Sequence, residues 1–167
     1  SGSVSSVNDG SLTPHSSRDE TLVSFEVDYL STTGAKTRYY DTIGFGPIDY
    51  PDLRAHAVTG LTFTTRPLEK PVEIVGYPVV SMTVKSTEAD GEFNFYLEEV
   101  DADGEVHFLT DGGVRASYAE TGTPPFDNFG LPWFPALQEN VDAAIPLNEK
   151  PLRIELALQP IANHFEA

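Results

Sequence analysis

Apolar and polar residues alternate along several short segments of this chain. In residues 79–84, Val80, Met82 and Val84 fall on one face, and Ser81 and Thr83 on the other. A period of two is typical of a β-strand with one face towards a core and one towards water. The pattern therefore predicts a strand here, and the aromatic-rich residues 92–97 repeat it.

The same period of two occurs nearer both ends of the chain. It predicts one strand in residues 22–29 and another in residues 152–158. The apolar positions of the two segments are Val23, Phe25, Val27, Tyr29, Leu152, Ile154, Leu156 and Leu158.

Turn-forming residues separate these segments. Asp90-Gly91 and Asp103-Gly104 suit tight turns, because glycine adopts a positive φ without steric hindrance. Residues 44–58 suggest a loop with one helical turn. Many short strands, frequent turns and few helical patterns predict an all-β fold, which we interpret as a jelly-roll β-sandwich of the galactose-binding-domain type.

Two segments lack alternation. Residues 1–20 are rich in serine and predict a flexible lead-in or linker, which leaves residues 21–167 as the β-sandwich domain. Residues 117–141 form a long segment with four prolines and five aromatic residues. Loops of this length are usually functional, disordered or packed on a neighbour.

The charge of the chain excludes some partners. With 26 acidic and 10 basic residues the formal net charge is −16, so nucleic acid and anionic membrane are not expected as partners. Because cysteine is absent, thiol nucleophiles and thiolate zinc sites are excluded, but the compartment is not decided between cytosol and exterior.

The chemistry of a serine hydrolase is not visible in this sequence. None of the 13 glycines has a serine two residues later, so the usual nucleophile elbow is missing. The four histidines, His15, His56, His107 and His164, are isolated in the sequence. We therefore expect no catalytic residue and no cofactor in this chain.

The segment "DADGE" offers one metal hypothesis. Asp101, Asp103 and Glu105 present three oxygen ligands spaced two residues apart, as at the start of a calcium loop. The rest of an EF-hand loop is missing and the segment lies between two predicted strands. A polar hairpin turn without metal is the favoured interpretation.

Two further groups of residues are candidates for recognition or structure. The aromatic residues of the long loop could stack on a ligand, or pack on the domain and its partner, which we favour; they are Phe126, Phe129, Trp133 and Phe134. Arg115 follows two glycines, and in so acidic a chain we expect it to pair with a nearby carboxylate and fix a loop. Asp111, nearby in sequence, is assigned a structural role with it.

The order of several short motifs resembles the C-terminal domain of the CocE/NonD hydrolases, which include cocaine esterase, α-amino-acid ester hydrolases and X-Pro dipeptidyl-peptidases. The resemblance covers about residues 20–167 and is strongest between Leu61 and Ala116. The matching positions are Leu61, Phe63, Thr65, Pro67, Leu68, Ile74, Gly76, Pro78, Leu97, Val100, Asp101, Asp103, Gly104, Thr110, Asp111, Gly112 or Gly113, Arg115, Ala116, Leu158, Pro160 and Phe165.

The resemblance implies an accessory function. In such enzymes the catalytic serine, aspartate and histidine lie on an α/β-hydrolase domain, and none of them maps onto this chain. The expected partner is that domain of the same protein, with a homo-oligomer as a further expectation. The family continues past the phenylalanine of its last motif with Gly-His-Arg and more strands, so we expect the jelly roll to be incomplete at its C-terminus. A carbohydrate- or other ligand-binding module that uses Trp133 remains the alternative.

Overall fold

The computed structural model describes residues 7–15, 22–38 and 47–167. Of these residues, 34% lie in strands and 9% in helices. The chain is therefore an all-β protein, as the alternation predicted. Within the described ranges, no helix is long and apolar enough to cross a membrane.

The elements alternate short strands with three short helical segments. The strands are β1 (Val7–Ser11), β2 (Leu61–Thr64), β3 (Val72–Gly76), β4 (Val79–Val84), β5 (Glu92–Val100), β6 (Val106–Arg115), β7 (Leu152–Ala157) and β8 (Ile161–Phe165). The helices are α1 (Arg54–Ala57) and α2 (Gln138–Ala143), and a 3₁₀ turn covers Ala116–Tyr118. The single helical turn expected in residues 44–58 is confirmed by α1.

The strands are hydrogen-bonded in four pairs. β1 pairs with β2 in parallel, and β4 pairs with β7 in an antiparallel arrangement. β3 is the neighbour of β8, and β5 that of β6. The jelly-roll order of a complete sandwich stays a prediction.

The chain divides into two compact units. The second comprises residues 73–97 and 109–163, and the first comprises the remaining described residues. The first contains β1, β2, α1 and the turn between β5 and β6. Its buried centre includes Leu53, only 1% exposed, whose backbone N–H donates to the carbonyl of Val106 over 3.0 Å. This bond fixes the start of α1 against the start of β6.

Strand β1 differs from the prediction for residues 1–20. Val7–Ser11 is a strand and not a flexible lead-in, and it continues beyond its end with a bond from the Leu12 N–H to the Thr64 carbonyl. Its sequence, VNDGS, is mostly polar, so alternation does not reveal it. The Asn8 amide instead donates to the Ala57 and Gly60 carbonyls at 2.7 and 3.3 Å. The domain boundary at residue 20 stays a prediction.

The strand predicted over residues 22–29 is wrong. Residues 22–28 have no regular structure, and residues 29 and 30 are in a turn. The apolar side chains are largely exposed, at 41% for Phe25, 56% for Val27 and 88% for Tyr29. Alternation produces a strand where a neighbouring strand and a core are available. Among the described residues, no strand pairs with residues 22–28, and the core cluster does not include them.

The second unit contains the main hydrophobic core. Residues directly opposite in the β4–β7 ladder are Val80 and Leu156, Met82 and Ile154, and Val84 and Leu152. Ser81 and Thr83 face Glu155 and Arg153 on the other side. These apolar cross-strand pairs are what the period of two predicted for both strands.

The core joins these strands to neighbouring segments. Its buried members are Val114, Ala119, Ile154, Leu156 and Leu158, and the hydrophobic residues packed on them include Phe93, Phe95, Leu97 and Phe134. Ile154 is completely buried. Burying such a side chain contributes roughly 1.5–3 kcal/mol, so this face stabilises the second unit.

Candidate functional site

Among the described residues, the turn between β5 and β6 brings together three ionisable side chains whose ligand atoms could hold a metal ion. Asp101 follows the last residue of β5, and Glu105 precedes the first residue of β6. His107 is two residues beyond Glu105, so in an extended strand both point to the same face. The ligand atoms of Asp101, Glu105 and His107 all lie within 4.8 Å of one another.

Backbone hydrogen bonds orient Asp101 within this turn. Its Oδ1 accepts from the N–H groups of Asp103 and Glu105 at 2.9 and 2.8 Å. Its Oδ2 lies 2.8 Å from Nε2 of His107. Gly104 has a φ of 78°, the left-handed conformation expected of the Asp-Gly pair. The predicted polar hairpin turn is present, and Asp103 is not part of the cluster.

Each partner of the Asp101–His107 pair changes the ionisation of the other. The hydrogen bond from His107 holds the pKa of Asp101 below its usual value, and backbone N–H donors add to this effect. The bond to Asp101 raises the pKa of His107. His107 is therefore not an isolated histidine, although its partner is six residues away in the sequence.

A cavity of about 490 Å³ lies beside this turn. Tyr50 and Phe108 stack along it with ring centroids 3.7 Å apart and planes 7° apart. Asp49, Asp52, Glu105 and His107 supply its ionisable lining. Sequence patterns could not reveal this cavity, because residues 48–52 are far from the turn in the sequence.

Asp52 connects the loop before α1 to strand β6. Its Oδ1 accepts from the backbone N–H of Val106 at 3.0 Å and of Arg54 at 3.1 Å. The Val106 bond is the main reason that the pKa of Asp52 is lowered. Arg54 also forms an ion pair with Asp52 at 2.5 Å and lies 4.0 Å from Glu105. Asp52 therefore holds one wall of the cavity in place.

In the second unit, Arg115 has the carboxylate partner that the sequence led us to expect. Its Nε donates to Oδ2 of Asp90 over 2.6 Å. Asp90 also accepts from the N–H and hydroxyl groups of Ser117 at 3.1 and 3.0 Å, and from the N–H of Gly91 at 2.9 Å. Asp90, which the sequence reasoning missed, thus connects the start of β5 to the end of β6.

Asp111 lies elsewhere, buried in β6 with only 2% of its surface exposed. Hydrogen bonds connect the segment around Asp111 to Gln159, which follows β7. The carbonyl of Asp111 accepts from the N–H of Gln159 at 3.1 Å, and the Thr110 hydroxyl donates to the Gln159 carbonyl at 2.9 Å. The structural role assigned to Asp111 stays a prediction.

The four aromatic residues of the long loop separate into two groups. We call residues 119–137 the aromatic loop. Phe134 packs on the core cluster, and Trp133 is half-buried with its ring edge-on to Phe126 at 6.2 Å and 82°. Phe126 and Phe129 point outward, with 58% and 86% of their surfaces exposed. Trp133 is therefore not a freely exposed platform for a sugar ring.

Comparison with known proteins identifies the family. A model of the X-Pro dipeptidyl-peptidase C-terminal non-catalytic domain matches residues 1–167, and the chain belongs to this family. The resemblance to the C-terminal domain of CocE/NonD hydrolases is thereby confirmed. No solved structure matches the chain.

Two curated relatives carry esterase names. The chain is 38% identical over 105 residues to "Putative serine esterase Mb1866c" of Mycobacterium bovis and, equally, to "Putative serine esterase MT1883" of Mycobacterium tuberculosis. The aligned part covers 61% of this chain and 17% of each relative. The chain thus corresponds to a small part of proteins of this kind, and an accessory domain of a hydrolase is the function that these matches support.

Proposed function

We propose that this chain is the non-catalytic β-domain of a CocE/NonD-type serine hydrolase. In this proposal it packs on the α/β-hydrolase domain of the same protein and helps to form the substrate cleft. The observation that carries the proposal is the match of the non-catalytic domain family to all 167 residues. The esterase names of the two mycobacterial relatives support an ester as the substrate class.

The aromatic loop is the surface that we assign to this packing. Apolar rings exposed to water favour burial against a partner, because roughly 25 cal/mol are gained for each Å² of apolar surface removed from water. Phe129 is the most exposed ring of the loop, and Phe126 is next to the half-buried Trp133. Large aromatic side chains dominate the binding energy of many interfaces.

The backbone around Phe129 supports this assignment. Phe129 has a φ of 60°, which is unusual for a bulky residue and costs about 1–3 kcal/mol. Hydrogen bonds of the turn hold it there: the Phe129 N–H donates to Asp127 at 3.0 Å, and the Asn128 amide donates to the Leu131 carbonyl at 2.6 Å. The turn is therefore organised in a way that keeps this ring directed outward.

The test uses the full-length hydrolase with Phe129→Ala. We expect kcat/KM for p-nitrophenyl acetate to fall at least about fivefold, since loss of ~1 kcal/mol of packing disturbs the cleft. The matched control is Val75→Ala, which truncates a residue that is 80% exposed on β3 of the same unit. Equal activity of Phe129→Ala, Val75→Ala and the unchanged enzyme would refute a role of the aromatic loop in the cleft.

A further inference from the structure

We propose that Asp101, Glu105 and His107 form a binding site for one divalent transition-metal ion of the zinc class, at the turn between β5 and β6. The site is separate from the aromatic loop and does not depend on the function proposed above. It also differs from the calcium hypothesis, because His107 replaces Asp103 in the donor set.

The donor atoms are already close to the spacing that such an ion requires. Zinc binds nitrogen and oxygen ligands at about 2.0–2.2 Å, so two ligands of one ion lie roughly 3 Å apart. Oδ2 of Asp101 and Nε2 of His107 are 2.8 Å apart, and all three groups fit within 4.8 Å. A small movement of the Glu105 side chain, which is 51% exposed, would complete the set.

The chemical character of the donors selects the class of ion. One imidazole nitrogen and two carboxylates are the mixture that zinc and similar metals use, whereas calcium prefers six to eight oxygen ligands. Three protein ligands leave at least one coordination position for water. The 490 Å³ cavity, which Glu105 and His107 both line, provides space for that water.

The turn also supplies support for the ligands. The bonds from the Asp103 and Glu105 N–H groups to Oδ1 of Asp101 orient the carboxylate. The ion would take the place of the proton shared between Oδ2 of Asp101 and Nε2 of His107, so its binding would release that proton. Arg54 is a competing cation, 4.0 Å from Glu105. Its ion pair with Asp52 at 2.5 Å is shorter, so Glu105 can exchange Arg54 for a metal without leaving the arginine unpaired.

The test is calorimetric titration of tag-free, EDTA-treated protein with Zn²⁺, and separately with Ca²⁺ at equal ionic strength. We expect one saturable Zn²⁺ site and at least tenfold weaker binding of Ca²⁺. Asp101→Asn keeps an oxygen that can accept the backbone N–H groups but removes the charged ligand, and His107→Gln removes the nitrogen. Each should weaken Zn²⁺ binding at least tenfold.

Asp103→Asn is the matched control, because it removes the same charge from the same turn outside the donor set. It should bind Zn²⁺ as the unchanged protein does. Equal weakening in Asp103→Asn and Asp101→Asn would show general attraction of cations to an acidic surface and overturn the proposal.

NMR of the unchanged protein gives a second readout. Added Zn²⁺ should shift the His107 ring signals first. Shifts confined to other histidines, or no saturable binding, would also overturn the proposal.

Discussion

Arg115 and Asp90, 25 residues apart in the sequence, are joined by a 2.6 Å hydrogen bond between Nε and Oδ2. The same carboxylate accepts three more hydrogen bonds, from Gly91 and Ser117. A single acidic side chain therefore holds the beginning of β5 next to the end of β6. In a chain of net charge −16, Arg115 thus pairs with a carboxylate of the same chain.

Replacing Asp90 should destabilise the protein. Asp90→Asn weakens several charge-assisted hydrogen bonds at once, and we expect the free energy of unfolding to fall by about 1–2 kcal/mol in urea denaturation. Glu88→Gln is the control, because it removes the same charge from an exposed residue of the same loop. It should change stability by less than about 0.5 kcal/mol. An equal effect of the two substitutions would mean that net charge, and not the hydrogen bonds, is responsible.

The ionisation of Asp90 should also depend on Arg115. Partial burial acts to raise the pKa of Asp90, but the hydrogen bonds from Arg115, Gly91 and Ser117 outweigh it and hold that pKa below 3.8. Because the folded-state pKa is lowered, this stabilisation is present above pH 3.8 and is lost as the pH falls through the folded value. Carboxyl NMR titration should show a higher pKa of Asp90 in Arg115→Gln; an unchanged value would contradict the assignment.

Two neighbouring residues of β7, one facing the core and one facing outward, should contribute very differently to the free energy of unfolding. Ile154→Ala removes a completely buried side chain opposite Met82, and we expect a loss of ~2–5 kcal/mol. Arg153→Ala changes the exposed face, where only an ion pair with Glu155 at 2.7 Å is lost, and should cost less than about 1 kcal/mol. Thermal or urea unfolding measures both. Similar losses would contradict the face assignment of this strand.

The parallel pair of β1 and β2 requires a glycine at residue 10. A Cβ added to Gly10 would lie 2.6 Å from the Thr62 carbonyl oxygen, closer than van der Waals contact permits. Gly10→Ala should therefore separate the strands and speed amide exchange of Leu12 at least about tenfold, the equivalent of ~1.4 kcal/mol. Gly60→Ala, where an added Cβ meets nothing within 4 Å, is the control. Unchanged exchange of Leu12 in Gly10→Ala would refute the pairing.

Sequence patterns predicted those strands that have both a neighbour and a core. The apolar positions of β4 and β7 alternate because each faces the same core, and the prediction was right there. β1 was missed because its polar residues are held by backbone pairing and by the Asn8 amide. The five residues of β8 were missed because only Ile161 and Phe165 are buried apolar positions. The alternation of residues 22–29 predicted a strand wrongly: in the part of the chain that the structure describes, these residues pair with no strand and lie outside the core cluster.

The candidate site shows a second limit of sequence reasoning. Two residues two positions apart, such as Glu105 and His107, can be assigned to one face from the strand period alone. The convergence of Asp101 on them depends on the geometry of the turn, and Asp52 and Tyr50 approach through tertiary folding. Such long-range contacts leave no period in the sequence, so His107 was interpreted as isolated.

The central claim is that this chain supports a hydrolase without performing its chemistry. The most direct measurement is hydrolysis of p-nitrophenyl acetate by the purified chain, followed at 37 °C against buffer and against the same protein treated with a serine-directed inhibitor. The account predicts the buffer rate in both samples. Saturable turnover that the inhibitor abolishes would contradict it.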